Sequence, residues 1–76
     1  AAAYEKFLST YPSSPEAPHI ELLLGIIYAR DLLQYEVAQE HLKRALDGIT
    51  DDRRREQAEQ WLRTASEALG RSAPQG

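Results

Sequence analysis

Apolar residues along the chain recur at helical spacing, and no stretch alternates as a half-buried strand would. Tyr4, Phe7, Leu8 and Tyr11 stand at i, i+3, i+4 and i+7, one apolar stripe with Glu5 and Lys6 on the wet side. Pro12, Ser13 and Ser14 end that helix. A second starts between Pro15 and Pro18: either Ser14 caps it with Pro15 in first position, or Ala17 and Pro18 take those roles after a preliminary turn. Its residues Ile20, Leu23, Leu24, Ile27 and Tyr28 form one apolar face, and Leu22, Ile26 and Ala29 add another. A helix apolar around so much of its circumference must be covered on two sides.

Residues Asp31 to Gln34 connect to a third helix, where Tyr35, Ala38, Leu42, Ala45 and Leu46 resume the spacing until Gly48 supplies a stop. Glu36, Glu40, Lys43 and Arg44 mark its exposed side, and His41 is expected to lie exposed with them. In the fourth helix Thr50 is the expected N-cap, with Asp51 and Asp52 in the first turn, where the helix dipole favours them. Its inward stripe is Ala58, Leu62, Ala65 and Leu69, with Trp61 and Ala68 on the shoulder, and Gly70 closes it. Residues 71–76 have the composition of a disordered tail. The pattern therefore predicts an all-α fold of antiparallel helical hairpins, about four helices in one domain over residues 1–70.

A chain of 76 residues without cysteine has neither disulfides nor thiolate metal sites to staple its core. Helix packing or a partner must supply the stability. A net charge of −3 argues against a nucleic-acid surface, which needs a basic face. In "DDRRRE" the arginines Arg53, Arg54 and Arg55 are flanked by Asp51, Asp52 and Glu56, so local neutralisation is expected there. No apolar run reaches the roughly 20 residues of a membrane span. The opening "AAAYEKF" reads as the middle of a helix, so residues upstream of Ala1 are expected. Nothing resembles a Gly-rich phosphate loop, a zinc-binding helix or a nucleophile elbow, and His19 and His41 lie far apart, so the expectation is a non-enzyme with no cofactor and no metal.

The segment "LGIIY" with Leu24, Gly25 and Tyr28, followed by "YEVAQEHLKRAL" with Ala38, Leu42 and Ala45, resembles the tetratricopeptide repeat. Small residues at Gly25, Ala38 and Ala45 let two backbones approach, and Tyr28, Leu42 and Leu46 fill the gaps. "YEKFLSTYP" is similar to the second helix of a preceding repeat, and the "YPSSPEAP" linker to repeats of bacterial envelope lipoproteins and cell-division coordinators. The resemblance covers Tyr4 to Leu46 and divides the chain into a preceding B helix (1–12), one hairpin (15–48) and a capping helix (50–69). Departures are a connector one residue long of the consensus and without glycine, Phe7 at a small position, and Glu21 where a large apolar residue is common.

What the resemblance implies is a right-handed solenoid fragment that binds protein through a concave groove, at positions His19, Leu22, Ile26, Ala29 and Arg30. With Leu22 and Ile26 central, an apolar segment is the expected guest, its acidic end held by Arg30 or His19. On the plainer side, His19 is a solvated residue at a helix start, and Trp61 either anchors an interface or packs in the core. The competing reading makes the Leu22 and Ile26 face, with Trp61, an oligomerisation surface, since such arrays need about three repeats to stand alone and this chain holds barely two. Copies of the chain, or adjacent repeats, would then supply the missing cover. The resemblance also points to the bacterial periplasm or envelope, with the cytoplasm as alternative.

Overall fold

The computed structural model describes residues 2–72, with side chains through Gly70. The described residues hold four helices, α1 (Ala2–Thr10), α2 (Ala17–Arg30), α3 (Tyr35–Gly48) and α4 (Asp52–Ser72), joined by short connectors, and no strand. The fold is all-helical.

Between α1 and α2 the chain takes a preliminary turn, in which the Ser14 N–H donates to the Tyr11 carbonyl at 3.1 Å and the Ala17 N–H to that of Ser14 at 3.0 Å. The Ser14 hydroxyl accepts from the Glu16 N–H at 3.1 Å. Helix α2 thus starts between Pro15 and Pro18, as expected, one residue before the later of the two starts: Glu16 rather than Ala17 is the cap, and Pro18 lies in the first turn, where a missing N–H costs nothing.

Three helix ends differ from expectation. Gly48 is the last residue of α3 rather than a left-handed stop, and no glycine among the described residues has positive φ. Its lack of a side chain serves packing instead: a Cβ there would lie 2.5 Å from the Pro18 Cγ. At α4 the cap is Asp51, not Thr50. The Asp51 carboxylate accepts from the Arg54 N–H at 2.9 Å, and its carbonyl accepts from the Arg55 N–H at 2.9 Å. Aspartate is as good a cap as threonine and adds a negative charge at the helix start. Gly70 does not end α4, which continues to Ser72, so Arg71 and Ser72 are helical rather than tail; the remainder of the expected tail, 73–76, lies outside the described residues.

The α2–α3 hairpin is antiparallel. Gly25 is its close-contact point, where an added Cβ would meet Leu42 Cγ at 2.5 Å and Cδ2 at 2.6 Å. In the connector, Leu33 takes the glycine-like conformation (φ 54°) and lets the Gln34 N–H reach the Tyr28 carbonyl at 2.8 Å. A left-handed residue other than glycine costs roughly 1–2 kcal/mol.

Helix α4 returns along α3, tied by Gln39 Nε2 donating to the Ser66 hydroxyl at 2.7 Å. It runs parallel to α2, so that Leu22 meets Ala58 and Ala29 shares a cluster with Ala65. One core cluster holds Leu22, Leu42, Ala45, Ile49 and Ala58; the other is Ala29, Ala38 and Ala65. Trp61, itself half-buried, packs against both. Helix α1 touches α2 alone and has no buried residue.

Candidate functional site

With α3 on one flank of α2 and α4 on another, the two-sided apolar helix is largely covered by its own chain. Leu22 is 5% exposed and Ala29 4%, both beneath α4. The expectation that Leu22 and Ile26 wait for a missing neighbour is corrected here: the polar-faced fourth helix supplies Ala58, Trp61 and Leu62 as their cover. Of the expected groove residues, Ala29 is taken up by the Ala38 and Ala65 contact. Arg30 is exposed and paired with its neighbour Asp31, Nε to Oδ1 at 3.1 Å.

What stays partly open on α2 is a stripe one position away. His19, Leu23, Ile26 and Arg30 are spaced i, i+4, i+7 and i+11, one face of a helix over about 16 Å of its length, exposed at Leu23 and Arg30 and half-buried at His19 and Ile26. Leu23 is 43% exposed, although its spacing with Leu24 and Ile27 had placed it inside. Where this stripe borders α4 there is a groove of about 320 Å³. Leu22, Leu23 and Ile26 form its apolar floor, and Glu16, His19, Arg54 and Gln57 its polar rim. His19 and Ile26 are thus brought together as expected. Leu23, Arg54 and Gln57 were missed, because the register of α4 on α2 is set by Ala58 and Ala65, which are silent about which polar residues end beside the groove.

The hairpin residues Leu24, Ala38, Leu42 and Ala45 are all 0% exposed, and Tyr28 is half-buried beside them. His41, expected on the wet side, is buried and 8% exposed. Its Nδ1 lies 2.5 Å from Glu21 Oε1, and its ring stacks on Tyr28 at 5.5 Å with an 11° tilt. The two polar residues at an otherwise apolar seam therefore explain each other: Glu21 of α2 and His41 of α3 face one another. Tyr28 completes a chain of contacts by donating its hydroxyl hydrogen to Glu5 of α1. That hydrogen bond, with burial and the nearby carboxylate charge adding to it, pushes the Tyr28 phenol above its ordinary value.

Among the described residues no three His, Asp or Glu side chains gather to hold a metal, and no helix is long and apolar enough to cross a membrane. Compared with known protein families, curated proteins and solved structures, the chain matches none of them.

Proposed function

We propose that this chain is a non-catalytic protein-interaction scaffold whose α2–α4 groove receives an apolar segment of a partner protein. The observation that carries the reading is Leu23, a large side chain 43% exposed beside Ile26 at the floor of a groove with a charged rim. An aliphatic side chain held open on an otherwise well-covered helix is free to be buried by a guest, and covering the 43% that is still exposed is worth about 1 kcal/mol. Arg54 on the rim is held only loosely by Asp51, at 3.9 Å, which favours an acidic residue flanking the guest's apolar ones.

The arrangement also supports reading the chain as a tetratricopeptide-like fragment of a right-handed solenoid. Gly25 and Ala38 permit close approach within one hairpin, and α4 lies parallel to α2 as the first helix of a following unit would. Selection from a random peptide display library tests the function. The expected binders carry two or three apolar residues and an acidic neighbour, and Leu23→Asp weakens them at least about tenfold, since it removes the aliphatic contact and sets a carboxylate against the guest's apolar residues. Binders that ignore Leu23→Asp and Arg54→Glu would sink the groove reading.

A further inference from the structure

Helix α1 is joined to the fold differently from the other three. It touches α2 alone, adds no residue to either core cluster and buries none of its own. Phe7 and Leu8 are half-buried against α2, while Tyr4 and Tyr11 are 37% and 57% exposed. One polar contact crosses the seam, the Tyr28 hydroxyl donating to the Glu5 carboxylate. We propose that α1 is a strap with the Tyr28–Glu5 hydrogen bond as its clasp: it opens from α2 as one unit while the hairpin and α4 stay folded, and uncovers an apolar face of α2.

The face in question follows from the other contacts of α2. Gly25 turns toward α3, and Leu22, Ile26 and Ala29 lie on the α4 side. Ile20, Leu24 and Ile27, at i, i+4 and i+7, make a third face, with Leu24 fully buried at its border with the hairpin and the two isoleucines half-buried. Helix α1 is the remaining helix in contact with α2, so it is their cover. Both core clusters outlast its departure, because neither includes a residue of α1. The connector from Tyr11 to Glu16 is free to act as the hinge: its hydrogen bonds run within itself or to the helices it joins, Tyr11 N–H to the Phe7 carbonyl, Ser14 N–H to that of Tyr11, and Ala17 N–H to that of Ser14. Segments with few buried contacts open locally, ahead of the whole fold. Leu23 stands between the covered face and the groove, so an open strap joins the two into one apolar band around α2. None of the groove's walls comes from α1, and the strap therefore stands or falls apart from the groove.

Native-state hydrogen exchange of the 76-residue chain tests this, because a helix of 9 residues is too short to persist by itself, so that leaving α2 and unwinding are one event. Amides from Phe7 to Tyr11 should exchange more slowly than in an unfolded chain but faster than those of Leu42 and Ala45. Tyr28→Phe removes the clasp and keeps the ring that stacks on His41; it should speed α1 exchange about fivefold. Asp51→Ala, which uncaps α4, should speed Leu42 and Ala45 about fivefold and leave α1 unchanged, since α4 stays folded when α1 opens. In a chain without cysteine, Ile27→Cys places a single thiol under the strap. Its labelling should follow α1, faster with Tyr28→Phe and indifferent to Asp51→Ala. Exchange of α1 at the unfolded rate, α1 or the thiol following the core through Asp51→Ala, or either one indifferent to Tyr28→Phe would each overturn the proposal.

Discussion

Replacing His41 with leucine tests whether the Glu21–His41 contact holds the hairpin or merely fills it. The two side chains are 10% and 13% exposed, and their polar atoms are 2.5 Å apart. Removing the imidazole leaves the Glu21 carboxylate largely out of water and without its partner. Breaking a buried pair in this way costs about 3–5 kcal/mol. The residual exposure of Glu21 lets some water back, so the lower end, about 3 kcal/mol, applies. A chain of this length has about 4–11 kcal/mol of total stability, and each kcal/mol moves its melting temperature by about 4–8 °C. His41→Leu should therefore melt about 12–24 °C lower than the parent. Glu21→Leu alone leaves an imidazole short of one hydrogen bond and costs less, about 1–3 kcal/mol. The double substitution removes both polar groups and should return to within about 1 kcal/mol of the parent, or exceed it. Urea unfolding followed by the single tryptophan, Trp61, reads all four proteins. If His41→Leu shifts stability by less than about 0.5 kcal/mol, or if the two single effects simply add, the pair is not what joins α2 to α3 there.

Gly25→Ala should lose about 1 kcal/mol, because crowding of Leu42 outweighs the gain in helix propensity, whereas Gly70→Ala, with nothing within 4 Å of the new methyl, should gain up to about 1 kcal/mol. Opposite signs in thermal melts check this, and equal signs would refute the close approach. Asp51→Ala should cost about 1 kcal/mol and Thr50→Ala almost nothing, since the cap of α4 is the aspartate; the reverse order in chemical denaturation would restore Thr50 as the cap. The Tyr28 phenol should ionise above the usual 10.0, followed by its phenolate absorbance, and Glu5→Gln should bring it back down. Its folded value being the raised one, the stability it adds is whole below the unfolded tyrosine range and is lost as pH climbs through the folded value.

Much of the helix plan could be read directly because apolar spacing, prolines and glycines act locally. The connector from Asp31 to Gln34 and the packing set Leu24, Ala38, Leu42 and Ala45 were legible for that reason. What escaped depends on pairing across the fold. His41 looks solvent-facing in its own helix, and only Glu21, twenty residues earlier, gives its burial a physical cause. Leu23 looks inward by its spacing with Leu24, yet α1 and α3 leave its side of α2 open, and α4 covers Leu22 instead. The glycines misled in a consistent way: Gly48 and Gly70 were read as stops from backbone freedom, but Gly48 is small for the sake of Pro18, and α4 simply passes through Gly70.

The contact between Pro18 and Gly48 makes the hairpin a structure of fixed register. At the far end the left-handed Leu33 sets the turn; at the near end the proline ring fills the space a side chain on residue 48 would need. Sliding α3 by one residue would bring Asp47 or Ile49 under that ring, and either would collide. With both ends fixed, the stripe from His19 to Arg30 keeps its facing across the whole length of α2, and a guest of the proposed groove would meet a surface that cannot shift by a notch to suit it.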